Sequence, residues 1–428
     1  MNQFTASLWG DEAWATTLAV KPILKILQIV ARDTSPPLYY LFLHAWLKIF
    51  GSSEVAIRSL SFSFFLATAL TVYFIGKYCW DKKTGFLASL LVLTNPFLFK
   101  YAFEGRMYAL LFLTSTLSIY FFLKKKRLGF ILATTAALYT HHFSIFVVFW
   151  EATWVLKENW SKPIKEILKK FSDFFIIGLL YLPWLYPLYY QTALVGSGFW
   201  LGRPTLRTFL ETIGKFLVGD NKSRPQTLAL GALVITLLLR RWQKDKKASV
   251  FLLGWFFVPL VSTYLISQFF QSIFFDRYML MVIPAATLLI ASLKRKLSWL
   301  FIFTAIVSLI AVNYHYFFHP TKRPFREFAN FIKQEAGGLI LINHNAAAHH
   351  LWESKYYGLE APIYTPQPLP FYTGTALMAE GDTIEKLPEE EQIGVITSAP
   401  VEEVKIPGYH LIKSQTFDSL SFLWLEKD

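Results

Sequence analysis

The chain has 428 residues, of which 54% are hydrophobic and 18% aromatic, with 41 Phe. Charged residues make up 17%, below the roughly 25% of soluble domains, and the mean hydropathy is +0.38. A water-soluble core cannot hide that much apolar surface, so the composition excludes an ordinary soluble protein and points to a polytopic membrane protein. The net charge of +13 comes from lysines and arginines in short clusters between apolar runs, which is a topology signal and not a nucleic-acid footprint. With Cys79 as the one cysteine, no intrachain disulfide can form.

The chain opens with MNQFTASLWG, which has no basic stretch followed by an apolar run of the signal-peptide kind. LWGDEAW at 8–14 then sets two adjacent carboxylates, Asp11 and Glu12, between Trp9 and Trp14. Residues 36–50, PPLYYLFLHAWLKIF, read as a helix lying at the membrane interface, opened by Pro36-Pro37. Apolar runs follow at about 56–76, 85–101, 107–123, 171–190, 226–239, 249–268, 278–293 and 298–317. The stretch 128–156 reads as a pair of short helices broken at His141-His142.

With about ten crossings, the basic clusters at Lys82-Lys83, Lys124–Arg127, Lys157–Lys170, Arg240–Lys247 and Lys294–Lys296 all fall on one face. By the positive-inside rule that face is the cytoplasm. Residues 1–53, the turn at 101–106, His141-His142, a long loop at 191–225, the turn at 269–277 and everything after 318 then face outward. The glycines of GSGFWLGRP suit that long loop to hinging over a site. An external N-terminus lacks an insertion signal, so a first transmembrane helix upstream of residue 1 is expected.

After residue 318 the character changes. RPFREFANFIKQEAG has helical spacing, GLILIN reads as a strand, NAAAHHLWESKYYG as a helix, and APIYT, EQIGVITSA, YHLIKSQTF and LSFLWLE as strands. The expected architecture is an all-α membrane bundle (54–317) with an external juxtamembrane segment (1–53) and a small extracytoplasmic α/β domain (318–428).

Ionisable groups at a membrane edge are costly and need a reason. On the outward face these include Asp11, Glu12, Asp33, Arg58, Lys100, Glu104, Arg106, His141, His142, Asp276 and Arg277. Carboxylates at an apolar boundary suit general-base work, which nominates Asp11, Glu12 and Glu104. The alternatives are a helix cap for Asp11 and a salt bridge from Glu104 to Arg106. Arg58, Arg106 and Arg277, with His141, His142, Tyr108 and Tyr278, suit the clamping of a phosphate. Snorkelling for Arg58 and an Asp276–Arg277 turn are the bland alternatives. The His pair fits either ordinary hydrogen bonding or a divalent metal, and the sequence leaves both open. His344, His349 and His350 lack ligand spacing and read as structural. No nucleotide-binding or hydrolase motif is present, so the energy of any reaction comes from an already activated substrate.

In order, LWGDEAW, DTSPPLYYLFLHAWLKIFG, SEVAIRSLS, NPFLFKYAFEGRMYAL, LYTHHFS and FFDRYMLMVIP resemble the C-type (GT-C) membrane glycosyltransferases. The nearest branch is the bacterial relatives of protein O-mannosyltransferases and of the lipid A aminoarabinose transferase. The resemblance spans roughly residues 5–320. It implies a polyprenyl-phosphate sugar donor, a lipid, glycan or protein acceptor on the external face, and a multi-pass protein of the plasma membrane serving cell-envelope glycan synthesis. It implies an inverting hexosyl or pentosyl transfer in which Asp11 is the general base, Glu12 supports it or holds a cation, and Glu104 is the second acid. Arg58, Arg106 and Arg277 would neutralise the leaving phosphate. Ser35 stands where aminoarabinose-type relatives often carry a lysine, which shifts phosphate binding to the arginines. A lipid-glycan transporter is the alternative; it should show discontinuous helices with polar groups near mid-membrane, and the charges lying at one face count against it. A membrane-anchored binding module built on the C-terminal domain is the third reading.

Overall fold

The structure, a computed structural model, describes residues 1–220, 223–238, 246–293, 296–344 and 348–428. The clusters at Arg240–Lys247 and Lys294–Lys296 and the start of the expected helix at 345–358 therefore lie partly outside the described residues. The chain divides into two compact units, one of residues 1–34, 40–57 and 319–428, the other of 35–39 and 58–318. The sequence reading separates 1–53 from 318–428, whereas the structure groups these segments.

The larger unit is helical. Its long apolar helices are Glu54–Cys79, Lys247–Phe269 and Trp299–Phe318, each long enough to cross a membrane. Two bent pairs raise the number to as many as five: Lys82–Thr94 with Pro96–Ala102, and Ile164–Lys170 with Ser172–Gly196. The stretch 128–156 is the expected pair, Arg127–Thr140 and Ser144–Asn159. Three readings need correction. The run at 85–101 is no single helix; it breaks with a 63° bend, because Pro96 supplies no N–H and holds Asn95 in extended backbone. Asn95 caps the following turn through Leu98 N–H at 2.9 Å and donates to Phe216 O at 2.8 Å. The run at 278–293 begins as 3₁₀ turns and becomes α-helix only at Ile283–Ala291. The stretch 191–225 is only partly loop, since Thr205 caps a helix over Leu206–Val218.

In the smaller unit, helices Gly10–Ala19, Ile23–Val30 and most of Leu38–Phe50 accompany a six-stranded sheet. The strands are β1 (Ile340–His344), β2 (Ile363–Tyr364), β3 (Thr383–Ile384), β4 (Gln392–Thr397), β5 (Tyr409–Phe417) and β6 (Leu420–Lys427). Their order is β3-β2-β1-β4-β6-β5. The β3-β2-β1-β4 pairs are parallel, and β6 and β5 close the edge antiparallel. Strand alternation fills both faces: Phe325, Phe328 and Ile332 of helix Phe325–Glu335 pack with Leu341 and Phe422, while Ile342, Val395 and Leu423 form the opposite core. β3 escapes the sequence reading because the polar GDTIEK around it offers no apolar run, whereas the equally short β2 was read from APIYT.

Close packing inside the bundle rests on backbone approach at small residues. A Cβ on Gly85 would stand 2.4 Å from Tyr73 O, and one on Gly76 would stand 2.6 Å from Gly85 Cα. Gly85→Ala is expected to destabilise the bundle by about 1–3 kcal/mol. Thermal melting in detergent checks this, and an unchanged midpoint would contradict the close crossing.

Candidate functional site

Three interruptions of helical backbone carry the predicted groups of the larger unit. The first follows the Asn95–Pro96 break. Helix Pro96–Ala102 ends, residues 103–107 turn with Arg106 N–H donating to Glu104 O at 2.7 Å, and helix Tyr108–Leu123 begins. Glu104 and Tyr108 are thereby buried. The second is the His141 break. His141 takes extended backbone, Phe143 N–H donates to its Nδ1 at 3.2 Å, and the Ser144 hydroxyl donates to Ala137 O at 2.7 Å. The third is the turn at 270–278, pinned by Ile273 and Phe274 N–H groups that both donate to Ser267 Oγ at 2.9 Å.

These interruptions converge on one aromatic, cationic cluster. The Arg277 guanidinium stands 4.8 Å from the Phe275 ring, 5.5 Å from Tyr108 and 5.7 Å from Tyr278. Tyr108 stacks on Tyr278 at 6.5 Å, and His141 contacts Tyr278 at 5.0 Å. Arg106 and Arg277 both act electrostatically on His141 and on Tyr108. The Tyr108 hydroxyl is buried with no hydrogen-bond partner among the described residues. Asp276 does not neutralise the cluster alone: Lys215 Nζ donates to it at 2.8 Å, and the Arg277 backbone N–H at 2.7 Å. Cation–π contact makes an arginine tolerable where water is excluded.

The structure joins Arg106, Tyr108, His141, Arg277 and Tyr278, with Glu104 near Tyr101 and Tyr108. His142 has a different job. Its Nε2 bonds Gln191 Oε1 at 2.7 Å and its Nδ1 meets the Tyr181 hydroxyl at 3.3 Å, while Gln191 donates to Ser35 O at 3.3 Å. Arg58 is fully buried on helix Glu54–Cys79. Lys100 is engaged by Asp220 at 2.8 Å. Among the described residues, no group of three or more His, Cys, Asp or Glu is gathered to hold a metal.

Asp11 and Glu12 belong to the smaller unit. Trp9 is the N-cap of helix Gly10–Ala19, so Asp11 sits inside the first turn, half-buried, and is not the cap residue. Both acids complement the positive end of the helix. Glu12 is fully buried and accepts from Lys322 Nζ at 2.8 Å. A buried pair of this kind is costly to break from one side, because the remaining charge is stranded.

Four residues around this turn were not singled out as site residues by sequence reasoning: Lys322, His349, His350 and Glu353. His349 stacks on Trp9 at 5.7 Å. It lies so close to Gly10 that a Cβ there would stand 2.2 Å from its Nδ1. Glu353 accepts a hydrogen bond from the Gly10 backbone N–H and shares one of 2.9 Å with His350 Nδ1. The i,i+3 spacing in HHLWE was a usable signal for the second pair, but contacts some 340 residues apart in sequence leave none.

Residues 34–186 match the family model of dolichyl-phosphate-mannose-protein mannosyltransferase. No curated protein matches the chain. In fold, the chain is similar to ArnT from Cupriavidus metallidurans bound to undecaprenyl phosphate, with a TM-score of 0.60 at 10% identity over 99% of this chain and 94% of that one. The apo state of ArnT from the same organism gives 0.56 at 10% identity, over 98% and 94%. At this identity the likeness shows the fold, a membrane fold with mostly helical architecture and a small sheet domain.

The His350–Glu353 pair gives the smaller unit a pH dependence. Burial pushes the Glu353 carboxyl up from 4.5 to about 8. Burial, then the Arg323 charge, pushes the His350 imidazole down from 6.5 to about 3. Folded Glu353 holds its proton more tightly than unfolded, so its contribution falls as pH rises from about 4.5 to 8. Folded His350 holds its proton less tightly, so its contribution rises from about 3 to 6.5. The two offset each other between about 4.5 and 6.5 and leave a net decline from about 6.5 to 8. Glu353→Gln is expected to remove that decline in the melting temperature. A variant that retains the wild-type slope would contradict the assignment.

Proposed function

The partial family match and the shared fold support membership of the GT-C superfamily of membrane glycosyltransferases, and on that premise we propose that this multi-pass membrane protein moves a sugar from a polyprenyl-phosphate donor to an extracytoplasmic acceptor. One observation carries the reading: Arg106, Arg277, His141, Tyr108 and Tyr278 meet at the start of helix Tyr108–Leu123. A helix N-terminus flanked by two arginines and a buried hydroxyl is an anion site whose chemistry matches a phosphate leaving group. A guanidinium neutralises the departing lipid phosphate without needing a proton, so its help is constant across physiological pH.

In this reading the acceptor hydroxyl gives its proton to Asp11, the half-buried acid. Glu12 is already held by Lys322 and serves to fix the turn on which Asp11 stands. Glu104 is the second acid, beside the cationic cluster. Arg58 adds a further cation for the phosphate, and His142 holds its loop through Gln191. Attack on the anomeric carbon as the phosphate leaves would invert it in a single displacement. The charge pattern supports a site on the extracytoplasmic face, and the GT-C reading supports a plasma-membrane location.

Transfer measured in membranes, with a panel of polyprenyl-phosphate sugars, tests this. Asp11→Asn is expected to lose about 10²-fold or more, as for a general base. Arg277→Ala is expected to lose about 10²-fold, as for removal of one electrostatic donor. Variants that transfer as well as wild type at equal expression would refute these roles.

A further inference from the structure

A second polar cavity lies elsewhere in the larger unit, outside the aromatic–cationic cluster. It has a volume of about 890 Å³ and is framed by the ends of several helices. Six lysines and arginines and two carboxylates line it, an excess of four positive charges. The carboxylates are already engaged: Arg127 pairs with Asp173 at 2.7 Å, and Lys247 with Glu158. Lys125, Lys126, Lys162 and Lys170 remain exposed on its rim with no carboxylate partner among the described residues. Such crowding of like charge is unfavourable without an anion to gather it.

The floor is of opposite character. Phe130, Trp154 and Phe251 are buried beneath the lysines. Phe121, Phe122, Leu123, Val155 and Phe174 also line it and are half-buried, leaving an apolar flank within reach. A soluble anion would use the lysines and leave this apolar surface bare. An amphiphile with an anionic head would use both. The lysines also sit among the clusters that the charge rule places on the cytoplasmic face, where anionic phospholipids concentrate.

We propose that this cavity is a binding site for an anionic phospholipid, its head-group phosphate held by Lys125, Lys126, Lys162 and Lys170 and its acyl chains lying on the apolar flank. Native mass spectrometry of the full chain in detergent tests this, with phosphatidylglycerol and phosphatidylcholine of matched chains as probes. Wild type is expected to retain phosphatidylglycerol preferentially. Each lysine removed should weaken retention about fivefold, and Lys126→Gln with Lys170→Gln together about 25-fold. Lys405→Gln, on the smaller unit, should change nothing. Melting temperature rising with phosphatidylglycerol in wild type, and less in the double variant, supports the site independently of retention. Equal retention of both lipids, or an unaffected double variant, overturns the proposal. Displacement of phosphatidylglycerol by millimolar inorganic phosphate overturns the lipid assignment, since it would mark a plain anion site.

Discussion

A guanidinium stays charged at any physiological pH, and an apolar bundle offers it little solvation. That constraint governs the larger unit. Arg277 rests against three aromatic rings, and Lys215 draws off the neighbouring Asp276 carboxylate. The stacked rings and the Lys215–Asp276 pair together make a charged guanidinium tolerable in this apolar surrounding. The same constraint explains where the helices break. Irregular backbone in an apolar bundle is tolerated where it is buried in protein, and each of the three interruptions delivers a polar side chain to the same cluster.

How much of this the sequence displayed depends on distance along the chain. The pair of helices at 128–156 was legible from the His141-His142 interruption and from the balance of charges. The terminal domain was legible because β1, β4, β5 and β6 are long enough to show their apolar pattern. The bend at Asn95–Pro96 was written in the dipeptide, yet the apolar run across it is continuous, and hydropathy does not register a change of direction. The capping Thr205 was likewise visible in principle, but glycines on its N-terminal side suggested loop.

The candidate site was legible to a different degree. Arg106, Tyr108, His141, Arg277 and Tyr278 were nominated from type and position, and the fold brings them together. His142 was nominated with its neighbour, although its ring is committed to Gln191 and Tyr181. His349 and His350 were weighed as ligands and read as structural, while Lys322 and Glu353 were read only as parts of their segments. Nothing local to them announces Gly10, because what joins them is tertiary structure.

That junction has a consequence for biosynthesis. Leu8 N–H donates to the Tyr357 hydroxyl at 2.8 Å, Glu12 is satisfied by Lys322, and Gly10 is spaced to admit His349. Each link closes a loop of more than 300 residues, and such closures come late because their entropy is spent before any contact is gained. The turn that holds the paired acids is synthesised more than 300 residues before its partners Lys322, His349 and Tyr357. A ribosome that stalls within the bundle leaves the turn without Lys322, which holds Glu12, and without the Tyr357 hydroxyl and Glu353 carboxylate that accept from its backbone N–H groups. Synthesis of the segment from Lys322 to Tyr357 thus acts as an assembly check on this turn.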